Sequence, residues 1–409
     1  MINVVILNGG RGASTIIPCL LNENGIKLTA LVNAYDDGKS TGMIRRFFNM
    51  LGPSDIRKVQ ELMLPNTLSF DDNMKLFTYR YPQKCSYDEV LNELESFVRG
   101  TNNSLVGIKI KNQENVHMIK LFMSKFLSWI KYREKIENER FNFADCSIMN
   151  CIYAGAFIFF NRDLEEATHS INKMFKLKGD VLPTSLELRH LVAQRQNGDV
   201  LSSEAEIVEM RSNVVIDKIY LLDSPLKKDF VDKFSSSQVK EVLEMMHSPV
   251  SVSKSVAHAL TVADIIIYAP GTQHSSLYPT YLTQGVANLI GNNRKALKIF
   301  ITNIGTDYET PTYKASDYIK SAYKYLCSAE GYNYNISSLF DFAFVNKLTE
   351  DSIDREYVEL DESELQKLGI QLILENWESR SKDGKHDGKI VVEKIMNLYE
   401  KRTANSNYE

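Results

Sequence analysis

Residues 34–42 read Ala-Tyr-Asp-Asp-Gly-Lys-Ser-Thr-Gly, and Arg45 and Arg46 follow closely. The segment brings together two carboxylates, two hydroxyls and a base. Its tail, Gly38-Lys39-Ser40-Thr41, spells the end of a P-loop. A P-loop needs a glycine five positions before its Gly-Lys pair, so that its amides can wrap phosphate oxygens, and that position holds Asn33. Uncompensated carboxylates at Asp36 and Asp37 would also repel phosphate. Another chemistry fits better: Asp36 and Asp37 hold a divalent cation, while Ser40, Thr41 and Arg45 reach phosphate. The plainer alternative is an Asp-Gly turn that caps a helix.

Comparable segments follow other apolar runs. Residues 3–7 end in Gly9, Gly10, Arg11 and Gly12 before a helical pattern; glycines permit close backbone approach, and a helix N-terminus favours an anion. This is not GxGxxG, because position 15 is Thr15, and a tight turn alone remains open. Pro53-Ser54-Asp55-Ile56-Arg57 reads as a helix start with Asp55 in its first turn. After residues 263–268 come Gly271, Thr272, His274, Ser275 and Ser276, again suited to an anion; His274 is either an acid/base group or a solvated loop histidine. After residues 297–302 comes Asn303-Ile304-Gly305-Thr306-Asp307. Four polar exits from apolar strands are hard to explain by turn geometry alone.

The elements that must position them are strands of continuous apolar character alternating with helices. Residues 3–7, 28–34, 263–268 and 297–302 read as such strands, and residues 315–326 as an amphipathic helix. The pattern predicts an α/β, Rossmann-like three-layer fold with a mainly parallel sheet. Ligands in such a fold collect at the carboxyl ends of the strands, near a switch point. Asn197-Gly198 predicts a hairpin, and residues 213–223 a further strand, so the middle adds an antiparallel element. Residues 83–143 read as a mainly helical insertion or cap, with Phe122, Met123, Phe126 and Trp129 on one face. The expected organisation is one domain from 1–82 and 144–400, the insertion between, and a frayed tail at 401–409. The composition, 44% hydrophobic and 24% charged with net charge −4, is that of a globular chain with no basic field for nucleic acid. No apolar run approaches the roughly 20 residues that span a bilayer, and the first residues lack a signal peptide's basic region. Five scattered cysteines argue against disulfides or zinc, with Cys146 and Cys151 reading as buried thiols. The chain reads as cytoplasmic, with no membrane partner; a homodimer stays open.

In order, these segments resemble the CofD/YvcK family. Asn8-Gly9-Gly10-Arg11-Gly12 is similar to its GGGTG-like turn. Residues 36–45 resemble the DDGGSSGRLR-like segment of the YvcK branch, and residues 52–57 a PPGDIR-like segment. Asn150 stands at the asparagine of a GN-containing helix, and residues 269–279 resemble a GPGSLYTSIIP-like loop. Lys39, Arg11 and Met149 depart from the pattern, each standing where a small residue or glycine is expected. The resemblance implies a nucleoside-diphosphate conjugate, a nucleotide-sugar (a UDP-sugar, for a gluconeogenesis factor of the YvcK type) or nucleotide-activated phospholactate, bound at the strand ends. The ligand-binding set would be Gly9, Gly10, Gly12, Ser40, Thr41, Arg45, Asn150, Gly271, Thr272, Ser275, Ser276 and Asn303. The alternative it implies is a Mg2+-dependent 2-phospho-L-lactate transferase acting on a deazaflavin. Asp36, Asp37, Asp55 and Arg57 would then be catalytic, with Asp36 and Asp37 on the metal.

Overall fold

The computed structural model describes residues 1–348, 356–381 and 384–406. Its strands are β1 (Ile2–Leu7), β2 (Ile26–Val32), β3 (Ser104–Leu105), β4 (Ile108–Lys109), β5 (Asp180–Pro183), β6 (His190–Arg195), β7 (Val200–Leu201), β8 (Ile216–Leu222), β9 (Ile265–Tyr268), β10 (Leu297–Ile301), β11 (Phe342–Asn346) and β12 (Gln371–Glu375). Seven form a parallel sheet in the order β12-β11-β10-β9-β1-β2-β5. β9 and β10 are buried along their whole length, as is β1 from Val4 onward. Burial on both faces is why these strands read as unbroken apolar runs.

The order reverses at β1. The chain winds outward through β2 and β5, then returns to start β9 on the other side of β1 and winds outward to β12. Val4 opposes Ile265 and Leu7 opposes Tyr268, so β1 and β9 end level with each other. Their outgoing loops flank the crevice at the switch point.

A second sheet, β7-β6-β8, is antiparallel and is turned at Asn197-Gly198. β7 is short, because Ser203 caps a helix, Glu204–Glu209, by accepting from Glu206 N. That helix delivers Glu204 toward the crevice.

Within residues 83–143 the helices Tyr87–Arg99 and Gln113–Glu137 precede and follow the β3–β4 hairpin in the chain. Phe122, Met123, Phe126 and Ile130 are buried; a fully buried side chain of this size contributes about 1.5–3 kcal/mol. Trp129 Nε1 donates to Phe47 O at 2.8 Å, fastening the segment to the helix Lys39–Phe48. Its neck is a short antiparallel crossing at Arg80 and Ser147, with Tyr81 N donating to Cys146 O at 3.0 Å. Cys146 and Cys151 are buried thiols, 3.6 Å apart.

The last helix, Gly388–Ser406, continues where a frayed tail is expected from residue 401. Arg402 holds its final turns, pairing with Asp341 at 2.8 Å and donating to Arg294 O. Residues 407–409 lie outside the described residues. Among the described residues, no helix is long and apolar enough to cross a membrane.

Candidate functional site

A cavity of about 780 Å³ opens at the carboxyl edge of the sheet, over the crevice between β1 and β9. This is within the usual range for a small-molecule site. One wall is the turn after β1. Gly9 packs against Ser276, and Gly12 against the backbone of Pro270 and Gly271, so closely that a methyl group on either would overlap its neighbour. Gly10 has φ 49° and lies against Asp55.

The adjoining wall is the loop after β9. Asn303 pins it with both ends of its amide: Oδ1 accepts from Gly271 N at 2.8 Å, and Nδ2 donates to Gly271 O at 3.0 Å. Thr272 Oγ1 donates to Ser276 Oγ at 2.8 Å. The amides that open the next helical turn already hold a carboxyl group from the chain itself. Glu309 Oε2 accepts from His274 N at 2.7 Å and Ser275 N at 2.9 Å, and its Oε1 accepts from Ser275 Oγ at 2.5 Å. Ser275 therefore serves Glu309. His274 is fully buried against Tyr278, and burial, with Lys324, lowers its pKa to about 3. It is a neutral core side chain, neither a solvated loop residue nor a group facing the ligand space.

Burial, and then Asp307, raise the pKa of Glu309 to about 7, above the 4.5 ordinary for a glutamate. The folded chain therefore keeps a proton through that window which the unfolded chain releases. This group's contribution to stability falls as pH rises from about 4.5 to 7 and is level above. Glu309→Gln, which can accept from both amides and donate to Ser275, is expected to remove this slope, worth roughly 3 kcal/mol. Urea unfolding of both proteins at pH 5.5 and 8, an interval that captures about 2 kcal/mol of it, measures the difference.

The floor carries the charge. Lys58 Nζ is 2.7 Å from Asp55 Oδ1 and 3.8 Å from Asp36 Oδ2. Burial, then Asp55, raise the pKa of Asp36. Burial opposes the Lys58 charge, but Asp55 and Asp36 outweigh it and hold the ammonium above its ordinary range. Glu204 also lines the cavity; burial, with Asp36 and Asp55, pushes its pKa well up. Neither Lys58 nor Glu204 stands out in the sequence. The Asp55–Lys58 spacing of i,i+3 on one helix is the signal that could have found the lysine.

Several expected site residues are bonded to the protein around them. The Asp36–Asp37 pair divides: Asp36 lines the cavity, whereas Asp37 Oδ1 accepts from Ala205 N at 3.0 Å and Asp37 Oδ2 lies 3.8 Å from Arg45. The carboxylate that joins Asp36 around a common cation is Asp55. Arg45 is buried and donates to Tyr35 O at 2.7 Å and Arg189 O at 2.5 Å. Arg57 donates to Phe77 O at 2.6 Å and pairs with Glu61 at 3.7 Å; burial lowers its pKa to about 10. Both guanidinium groups are turned onto the protein through their terminal nitrogens, while each Nε is buried with no hydrogen-bond partner among the described residues. Asn150 acts one step back, donating to Ser54 Oγ at 3.3 Å, and Ser54 shares a 2.6 Å hydrogen bond with Thr41, which lines the cavity. Ser40 is buried beneath the wall.

Other cavity residues are Arg11, held by Glu61 at 2.9 Å, Arg80, Lys39 and His386. Burial lowers the pKa of His386 to about 4, so it is neutral near pH 7. Its Nε2 is buried with no hydrogen-bond partner among the described residues.

The model of the family described as 2-phospho-L-lactate transferase CofD matches residues 4–377. The chain belongs to the CofD family. Within it, a Thermotoga maritima relative is 26% identical over 374 residues, covering 89% of this chain and 87% of its own. The protein named gluconeogenesis factor from Listeria innocua is 25% identical over 385 residues, covering 93% of this chain and 90% of its own. The crystal structure of protein BH3568 from Bacillus halodurans superposes with a TM-score of 0.66 at 20% identity, over 97% of this chain and 99% of that one, which shows a common fold. The relatives named as gluconeogenesis factors place this CofD-family chain beside the YvcK branch.

Proposed function

We propose that this chain binds a nucleoside-diphosphate conjugate, of the nucleotide-sugar type, in the crevice between β1 and β9. The observation that carries this reading is the near-contact of the Gly9–Gly12 turn with the Pro270–Ser276 loop at the switch point, beneath a cavity lined by Arg11, Lys58 and Arg80. Backbone amides without side chains in the way, next to cations, suit a diphosphate.

Mg2+ fits this site as the diphosphate's companion. Asp36 and Asp55 offer oxygen donors facing one cation position, now taken by the Lys58 ammonium. Among the described residues no group of three or more acidic, histidine or cysteine side chains is disposed to hold a metal by itself, and Mg2+ is commonly held by one or two carboxylates plus substrate phosphates. Bound there, the ion would neutralise charge on the diphosphate oxygens. Asp37, committed to Ala205 and Arg45, is not part of that set.

The second reading is a transferase of the 2-phospho-L-lactate type with a deazaflavin acceptor, favoured by the family's description. Titration calorimetry with UDP-sugars, GDP and a deazaflavin, each with and without Mg2+, separates the two. Binding of a UDP-sugar without turnover supports the binding protein, and deazaflavin affinity with product formation supports the transferase. Silence at millimolar nucleotide defeats both. Asp36→Asn is expected to lower the Mg2+-dependent affinity roughly tenfold and to leave Mg2+-free binding almost unchanged.

A further inference from the structure

Lys39 and Asp145 face each other at the neck of the helical insertion, and both have left-handed backbones, with φ 47° and 54°. A residue bearing a side chain is held there at a cost of order 1 kcal/mol, and such strain gathers at functional sites. No packing demands a lysine, since the Lys39 side chain is 66% exposed.

Asp145 pairs with two cations, Lys39 at 3.7 Å and Arg80 at 3.6 Å. Its backbone carbonyl also accepts from Arg80 Nη1 at 2.8 Å. Arg80 lies where the chain leaves the sheet domain for the insertion, and Asp145 where it returns. Lys39 and Arg80 line the cavity, and Asp145 stands behind them. Two cations share one carboxylate, which leaves this group of three with net positive charge at its corner of the cavity. The pair already holds one carboxylate on its far side, and a guanidinium fork matches a second on its near side.

Resting on the nucleoside-diphosphate reading, we infer that Lys39 and Arg80 form a clamp for a carboxylate that the ligand carries beyond its diphosphate. The neck of the insertion is thus a specificity element. The strained lysine brings its ammonium to the cavity at the position where glycine would fold without cost.

UDP-glucose and UDP-glucuronate differ by a hydroxymethyl against a carboxylate, and they are the probes. Calorimetry with Mg2+ is expected to show the wild-type chain preferring UDP-glucuronate about tenfold. Lys39→Gly, whose backbone suits φ 47°, should melt no lower than wild type, keep its affinity for UDP-glucose and lose the preference. Lys39→Arg should restore it. Arg80→Gln should lose it too. Equal wild-type affinities for the two nucleotides overturn the clamp and leave the nucleotide reading standing. A preference that survives in both Lys39→Gly and Arg80→Gln also overturns it. Failure of both nucleotides to bind at millimolar concentration overturns the clamp and the nucleotide-sugar reading together.

Discussion

Replacing Lys58 with methionine is expected to cost about 3 kcal/mol of stability near pH 7 and to make what remains respond to Mg2+. The ammonium is the cation that Asp55 and Asp36 share, at 2.7 and 3.8 Å, and both carboxylates are largely buried, with side-chain exposures of 8% and 13%. Methionine keeps the length and the packing of the stem and removes only the charge. Breaking a buried pair from one side leaves an uncompensated charge, which is dearer than losing the pair entire.

The sign of the pH effect follows. Asp36 is already raised by burial and by Asp55, and without Lys58 it is raised further. A carboxylate whose folded pKa lies above its unfolded value lowers stability as pH rises through that interval and stops doing so once both are ionised. The deficit of the variant is therefore largest where Asp36 is ionised and shrinks as pH falls and Asp36 takes up its proton. Mg2+ at millimolar concentration offers the missing charge and should raise the melting temperature of Lys58→Met more than that of wild type. Urea unfolding at pH 5 and 8, with and without MgCl2, reads all of this. A deficit that is identical at both pH values and indifferent to Mg2+ would remove the shared-cation account of the floor.

The central strands were legible because parallel strands buried on both faces must be apolar at every position, as Val4 to Leu7 and Ile265 to Tyr268 are. β5 was not, since an edge strand of four residues that includes Asp180 and Pro183 has no such pattern. The turns at Gly9, Gly10, Gly12 and Gly271 were legible as glycines after strands, and all four line the cavity. The partners of Arg45 and Arg57 were not legible, for a definite reason. An arginine one or two turns into a helix looks the same in sequence whether its fork meets a phosphate or, as here, the carbonyls of Tyr35, Arg189 and Phe77. Glu204 and Glu309 were invisible because their roles depend on segments far away in the chain: Glu204 meets Asp37 N across a separation of 167 residues, and Glu309 meets Ser275 across 34. Lys39 shows the converse. The residue that fits neither a P-loop nor the family's glycine turns out to be the one with a left-handed backbone, so the misfit of spelling and the misfit of conformation coincide.

Gly12→Ala is the other substitution with a large expected effect, about 3 kcal/mol of destabilisation with loss of nucleotide binding. The added methyl would meet Pro270 O and the backbone of Gly271, and backbone cannot turn aside as a flexible side chain can. Relief requires parting the turn after β1 from the loop after β9. That loop is fixed from behind by Asn303 on Gly271 and by Glu309 on the next amides, while β1 and β9 are locked in register. Strain at this one contact is therefore shared between the sheet and the candidate diphosphate cradle. Gly9→Ala provides the contrast: its methyl would overlap the Cβ of Ser276, a side chain, so Gly9→Ala combined with Ser276→Gly should recover much of the lost stability, whereas no side-chain truncation can rescue Gly12→Ala. Melting temperatures of the two single variants and the double variant, with nucleotide titrations on each, test this. A Gly12→Ala protein as stable as wild type would mean that the two loops do not meet in solution as closely as they do here, and the switch-point cradle would lose its physical basis.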